Sequence, residues 1–189
     1  AIRRQRQMCI RDRGFSHFFP AKAMCAHVTS WNKNASVKFR TDVASMCKLG
    51  FDIGLKDLSE DELLYCKTAI SNWKRLSSVI LDGKQYRLVS PYKSAHMAVN
   101  YVSEDRRKAV LFAYDIYPRF KEKVFPVKVQ GLNPDKMYKV EEINLMPGCQ
   151  SVLKMNNQVV SGDYLMKVGL EVFGDKSLQS CVIEFSEQM

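Results

Sequence analysis

With 189 residues, 46% of them hydrophobic and 26% charged, the chain can bury one ordinary core. Its formal charge of +9 is unevenly spread: the first thirteen residues, AIRRQRQMCIRDR, hold five Arg against one Asp and account for +4, leaving +5 on the rest. That remainder is not concentrated on an aromatic-rich basic face, which argues against a nucleic-acid partner, and no apolar run approaches the ~20 residues of a membrane-spanning helix.

The basic run 1–13 resembles translated adapter read-through rather than a natural leader and is set aside from fold reasoning. A short apolar run, Met24 to Val28, then leads through a polar loop to a helix-compatible stretch, Phe39 to Lys48, and to a second apolar run at Phe51, Ile53 and Leu55. The order strand, helix, strand predicts a parallel pair, since parallel strands need a crossover of about a dozen residues. Ser59 with Glu62 predicts a capping box, and the helix it opens is expected to run to about Leu81. Leu63, Cys66, Ile70, Trp73 and Ile80 fall near helical spacing, with Ala69 and Leu76 widening the stripe, and Asp82-Gly83 predicts a left-handed stop.

From Gly83 the texture changes to short β-branched and aromatic runs. Gln85–Val89, Met97–Val102, Ala109–Tyr114, Val124–Val129, Tyr138–Asn144 and Cys181–Phe185 read as strands, with weaker ones near Val152, Val159 and Leu165–Val168. Ser103 to Lys108 reads as a hairpin loop, and Asn133-Pro134-Asp135 and Met146-Pro147-Gly148 as turns. Some hundred residues of this kind predict an antiparallel β-sandwich. The positive residues Arg106 to Lys108 and Arg119 to Lys123 read as solvated turns.

Candidate chemistry is sparse. The cysteines at 9, 25, 47, 66, 149 and 181 form no CxxC pair, which argues against structural zinc, and neither His17 nor His96 has a ligand-spaced partner. Cys25 and His27 share a strand face and could pair as nucleophile and base; a buried thiol beside a hydrogen-bonded histidine is the favoured reading. Asn34-Ala35-Ser36 is a glycosylation triplet, read as an exposed loop. Asp52 and Lys56 are expected to pair structurally.

Six blocks carry a family resemblance: MCAHVTSW, FRTDVASMCKLGFDIGL, YRLVSP, the VSED and KAVLF strands of one hairpin, QGLNPDKMYKV and SGDYLMKVGL. In this order they resemble the C-terminal third of glycoside hydrolase family 36 α-galactosidases, over about Gly14 to Ser186 and in the style of a Bacteroides-type branch. Cys25 stands where many members have Gly. The resemblance implies residues 14–82 as the last two β/α units of a (β/α)8 TIM barrel, which takes about 250 residues in full, and residues 83–189 as a C-terminal antiparallel β-sandwich. It also implies a retaining hydrolase acting on α-galactoside oligosaccharides of the raffinose and melibiose type, with no cofactor and no metal. A homo-oligomer of the full-length enzyme is compatible with it, and the bacterial compartment, cytoplasm or periplasm, stays open.

Two carboxylates do this chemistry, and in the family both are Asp, in a KWD-type and an SDxTD-type block. Neither block occurs in the 189 residues, so the catalytic set is empty here and the chain alone is expected to be inactive. Active sites of such barrels lie at the C-terminal ends of strands, which makes Trp31, Asn32 and Lys33 the substrate-adjacent candidates. Trp31 would stack on a sugar ring or pack on neighbouring loops, and Asn32 and Lys33 would bond hydroxyls. The sandwich is either a scaffold capping the barrel or a sugar-binding module, with Tyr114, Tyr117 and Phe120 as a candidate aromatic row. Two barrel strands without their neighbours expose unpaired edges, so the whole chain is expected to express poorly and 83–189 alone to stay soluble.

Overall fold

A computed structural model describes residues 14–30, 34–118 and 124–188. Strand β1, Cys25–Thr29, pairs in parallel with β2, Lys48–Asp52, from Cys25 opposite Lys48 to Thr29 opposite Asp52. Helix α1, Val37–Ala44, makes the crossover. It begins two residues before the predicted Phe39 because Ser36 caps it, its Oγ accepting from the Phe39 amide at 3.1 Å. It also ends earlier, with Ser45 bonding back to the Thr41 carbonyl at 2.8 Å, and the chain enters β2 at Lys48 instead of Phe51.

Helix α2, Glu60–Asp82, opens on the predicted capping box: the Ser59 amide donates to Glu62 Oε2 at 2.9 Å and the Glu62 amide to Ser59 Oγ at 3.3 Å. The buried stripe departs from the predicted one. Tyr65 and Val79 are buried, whereas Leu63 is 38% exposed and Ile70 and Trp73 are only half-buried. The helix serves two partners: Tyr65, Cys66 and Ala69 pack with Val37 of α1, and Leu76, Val79 and Ile80 pack on the sheet. Gly83 is extended, φ −71°, rather than left-handed. Glycine is required there by crowding, since a Cβ would lie 2.2 Å from the Val79 carbonyl oxygen and 2.7 Å from that of Val102.

The remaining strands form one six-stranded antiparallel sheet: β3 Lys84–Val89, β4 His96–Val102, β5 Lys108–Asp115, β6 Met137–Ile143, β7 Val159–Ser161 and β8 Gln179–Gln188, in the order β3-β4-β5-β8-β6-β7. Strands β4 and β5 are buried on both faces. Alternation sorts their side chains: Ala98, Ala109, Leu111 and Ala113 enter one core, while Met97, Val99, Tyr101, Val110, Phe112 and Tyr114 enter another. The second core continues without a break into Phe39, Val43, Leu76, Val79 and Ile80, so both helices α1 and α2 cover this face.

The opposite face departs from a two-sheet sandwich. Among the described residues its cover is coil and one short helix, α3, Gly162–Lys167, contributing Val127, Val129, Leu132, Leu153, Leu165, Leu170 and Phe173. The predicted strand 124–129 gives a single antiparallel bridge, Val127 to Leu170, because Pro126 lacks the amide that a ladder needs. Gly169, at φ +89°, makes this approach fit, for a Cβ there would meet the Val127 carbonyl oxygen at 2.5 Å. The predicted strand 165–168 falls largely in α3, capped by Ser161 Oγ, which accepts from the Tyr164 amide at 3.2 Å. Val152 is 95% exposed and lies in coil. The turns at Ser103–Lys108 and after Met146 form as expected, with Arg106 at φ 59° and Gly148 at φ +74°.

Candidate functional site

The most densely bonded side chain at the junction of the parallel unit and the sheet is Asp42 of α1, which is fully buried. Its Oδ1 accepts from Tyr65 Oη at 2.9 Å and from Asn144 Nδ2 at 2.9 Å; its Oδ2 accepts from Lys38 Nζ at 2.7 Å and from Ser180 Oγ at 2.7 Å. Its main-chain carbonyl accepts from Tyr114 Oη at 2.8 Å. A buried carboxylate persists only when paired and hydrogen-bonded in this manner. Burial and then the adjacent Asp42 carboxylate push the Tyr65 phenol well above its ordinary range. Asn144 reaches its position from a left-handed backbone, φ 58°, a conformation asparagine tolerates, and its Oδ1 accepts from Asn72 Nδ2 at 3.0 Å. Beyond it, Arg75 clamps Glu184 of β8 through both guanidinium nitrogens, at 2.6 and 2.7 Å.

On the other side of α1, Arg40 is buried and its Nη1 donates to the carbonyl of Thr29, the last residue of β1. Desolvation lowers the pKa of this guanidinium, opposed by Glu62 and Cys66, and its Nε has no hydrogen-bond partner. The exit of β1 is thus held by a charged side chain. Trp31, Asn32 and Lys33, which follow that exit in sequence, lie outside the described residues. The same holds for Phe120, and for the basic residues Arg119 to Lys123.

Other sequence candidates fare differently. Tyr114 is fully buried with its hydroxyl committed to Asp42, so it cannot belong to an exposed sugar-binding row; Tyr117 is 48% exposed. Cys25 and His27 do share a face, with Sγ 3.8 Å from Nε2, but both are exposed rather than buried, and the imidazole lies over Gly50 of β2, where a Cβ would meet it at 2.3 Å. Asp52 and Lys56 form no ion pair among the described residues. Asn34 is exposed, as expected of the triplet, while Ser36 is engaged as the cap of α1. His96, which has no ligand-spaced neighbour in sequence, is fully buried with Nδ1 2.7 Å from Asp115 Oδ1, and its ring stacks on Phe173 at 4.4 Å. Burial raises the Asp115 carboxyl, opposed by the Gly174 amide and His96. No nucleophile among the described residues completes this dyad, since His96 Nε2 has no hydrogen-bond partner. Among the described residues, no cluster of three His, Cys, Asp or Glu could hold a metal ion, and no helix is long and apolar enough to cross a membrane.

In the sequence, Asp42 shows only as one end of a Lys38–Asp42 pair one helical turn apart. Asn144 and Ser180 have no local signal, because their partner lies 102 and 138 residues away.

The thiols report on this packing. Burial raises Cys66, and burial together with Glu142 pushes Cys181 well above the ordinary thiol range, while Cys47 is buried and Cys25 and Cys149 are exposed. Iodoacetamide at pH 8 is expected to label Cys25 and Cys149 quickly, the half-buried Cys181 slowly because its thiol is pushed up, and Cys47 and Cys66 only after urea is added. Peptide mass mapping reads this out, and uniform labelling without urea would contradict the packing.

A parallel βαβ pair and a long capped helix, packed on a six-stranded antiparallel sheet, define a class that known proteins share. Residues 96–185 match the glycosyl hydrolase family 36 C-terminal domain. The fold is that of solved α-galactosidases of this family. AgaB from Geobacillus stearothermophilus superposes with a TM-score of 0.83 at 24% identity, over 97% of this chain and 24% of that one. A variant of AgaA from the same organism, solved in complex with raffinose, gives 0.82 at 22% identity over the same shares. By sequence, the chain is 30% identical over 178 residues to probable alpha-galactosidase C of Aspergillus terreus, covering 91% of this chain and 22% of the relative. The chain therefore spans about a quarter or less of the length of these relatives.

Proposed function

We propose that the chain is the C-terminal part of an α-galactosidase, a retaining glycoside hydrolase that releases terminal α-linked D-galactose from oligosaccharides of the raffinose and melibiose type. In this reading β1, α1, β2 and α2 are the last two β/α units of a (β/α)8 barrel, 14–82, and 83–189 is a C-terminal β domain that covers them. The observation that carries it is the superposition over 97% of the chain, which aligns the parallel unit together with the sheet rather than the sheet alone. The finer placement in a Bacteroides-type branch rests on the sequence blocks.

The chemistry needs two carboxylates flanking the glycosidic bond. Asp42 cannot be one of them, because both its oxygens are occupied in a dry interior. Trp31, Asn32 and Lys33, which follow the exit of β1 in sequence, are then the substrate-adjacent candidates, and the catalytic Asp pair belongs to strands outside these 189 residues. A non-catalytic sugar-binding module is the weaker reading, because Tyr114 is buried.

The test is hydrolysis of p-nitrophenyl α-D-galactoside by the 189-residue chain and by the chain joined to an upstream barrel carrying the KWD-type and SDxTD-type blocks. Turnover is expected only from the joined polypeptide. Turnover by the chain alone, or none by either, would overturn the proposal.

A further inference from the structure

Helix α1 is only eight residues long, and it is gripped from two sides. Residues two apart on a helix project in nearly opposite directions, about 200° around the axis, so Arg40 and Asp42 face different neighbours. Arg40 holds the carbonyl of Thr29 at the end of β1. Asp42 is held by Ser180 of β8 and Asn144 just past β6, and its main-chain carbonyl by Tyr114 of β5. Asn144 is braced in turn by Asn72 of α2. Three of the groups that grip Asp42 thus come from the antiparallel sheet or its immediate margin. A helix this short moves as a rigid rod, so its register over β1 follows from its register on the sheet.

We infer that Asp42 is a positioning residue, through which the sheet, by way of α1 and Arg40, fixes the exit of β1 at Thr29. The inference rests on the reading above in so far as that exit borders a galactoside pocket. The β domain then determines where β1 ends. Apolar packing between α1 and the sheet resists separation but permits sliding, whereas the directed bonds of Ser180 and Asn144 to one carboxylate, with that of Tyr114 to its main-chain carbonyl, select a single register.

The experiment is amide hydrogen exchange on the 189-residue chain. Ser180→Ala removes one donor to Asp42 from a strand that does not pair with β1. It is expected to speed exchange of the ladder amides at the end of the β1–β2 pair, Val28 and Thr29 opposite Phe51 and Asp52, by about tenfold, the scale of a lost charge-assisted bond, while amides of β4 and β5 keep their protection. Ser180→Thr keeps the hydroxyl and is expected to restore the slow exchange. Val160→Ala, at the far edge of the sheet, serves as a destabilised control and is expected to leave the β1–β2 pair unchanged. Equal acceleration of that pair in Ser180→Ala and Val160→Ala, or uniform acceleration along the chain, would overturn the inference.

In the joined polypeptide the same Ser180→Ala change is expected to raise KM for the nitrophenyl galactoside several-fold with kcat nearly unchanged. Should that polypeptide hydrolyse no galactoside while the exchange pattern holds, the functional reading falls and the positioning role of Asp42 stands.

Discussion

Residues 83–189 produced without what precedes them are expected to aggregate or remain loosely collapsed, the opposite of what their strand-rich sequence suggests. One face of the sheet carries Met97, Val99, Tyr101, Val110, Phe112, Tyr114 and Val182, and they share one core with Phe39 and Val43 of α1, Leu76, Val79 and Ile80 of α2, and Ala35 and Met46 beside α1. At roughly 1.5–3 kcal/mol per large apolar side chain, uncovering that face forfeits on the order of 10–20 kcal/mol. A domain is typically stable by only about 5–15 kcal/mol, so the loss exceeds what the remaining core can offset. Size-exclusion chromatography and dye binding on the two lengths of chain would show it. A monomeric 83–189 with a sharp thermal transition would mean that the helices contribute far less than their packing indicates.

The second large effect is at Asp42. Asp42→Ala strands Lys38, Tyr65, Asn144 and Ser180 with donors facing an empty, dry site. Removing one member of a buried charged network costs about 3–5 kcal/mol, a large share of the whole. Asp42→Asn keeps the shape and part of the acceptor capacity and is expected to fall between wild type and alanine. Lys154→Ala breaks an exposed pair with Glu171 and is expected to leave the urea midpoint where it was. Midpoints that order these three variants differently would show that the network is incidental to stability.

Much of the fold can be read from local chemistry. Ser59 and Glu62 announce the start of α2 because both halves of a capping box sit within one turn. The alternation through β4 and β5 is equally local. What escapes such reading is set by contacts distant in sequence. The stripe on α2 turns because Tyr65 answers to Asp42, and no window around Tyr65 contains that information. Gly83 has the sequence context of a left-handed stop, yet it is glycine because Val102 passes overhead. The run from Val124 to Val129 has strand composition but, with Pro126 inside it, lies as cover on a sheet instead of joining one. The substrate-adjacent candidates follow from family blocks, while the bonds that hold the end of β1 are legible only once α1 is seen between its two neighbours.

Strand β8, residues 179–188, lies between β5 and β6, although it follows both by many residues. A ribosome delivering this polypeptide from its N-terminal side therefore supplies two incomplete half-sheets first, β3-β4-β5 and β6-β7. The strand that zips them together emerges only afterwards. Until it does, β5 and β6 each present a bare edge, and nascent copies on neighbouring ribosomes could pair through those edges. Chaperone shielding during synthesis is the natural remedy for a sheet whose keystone arrives so late.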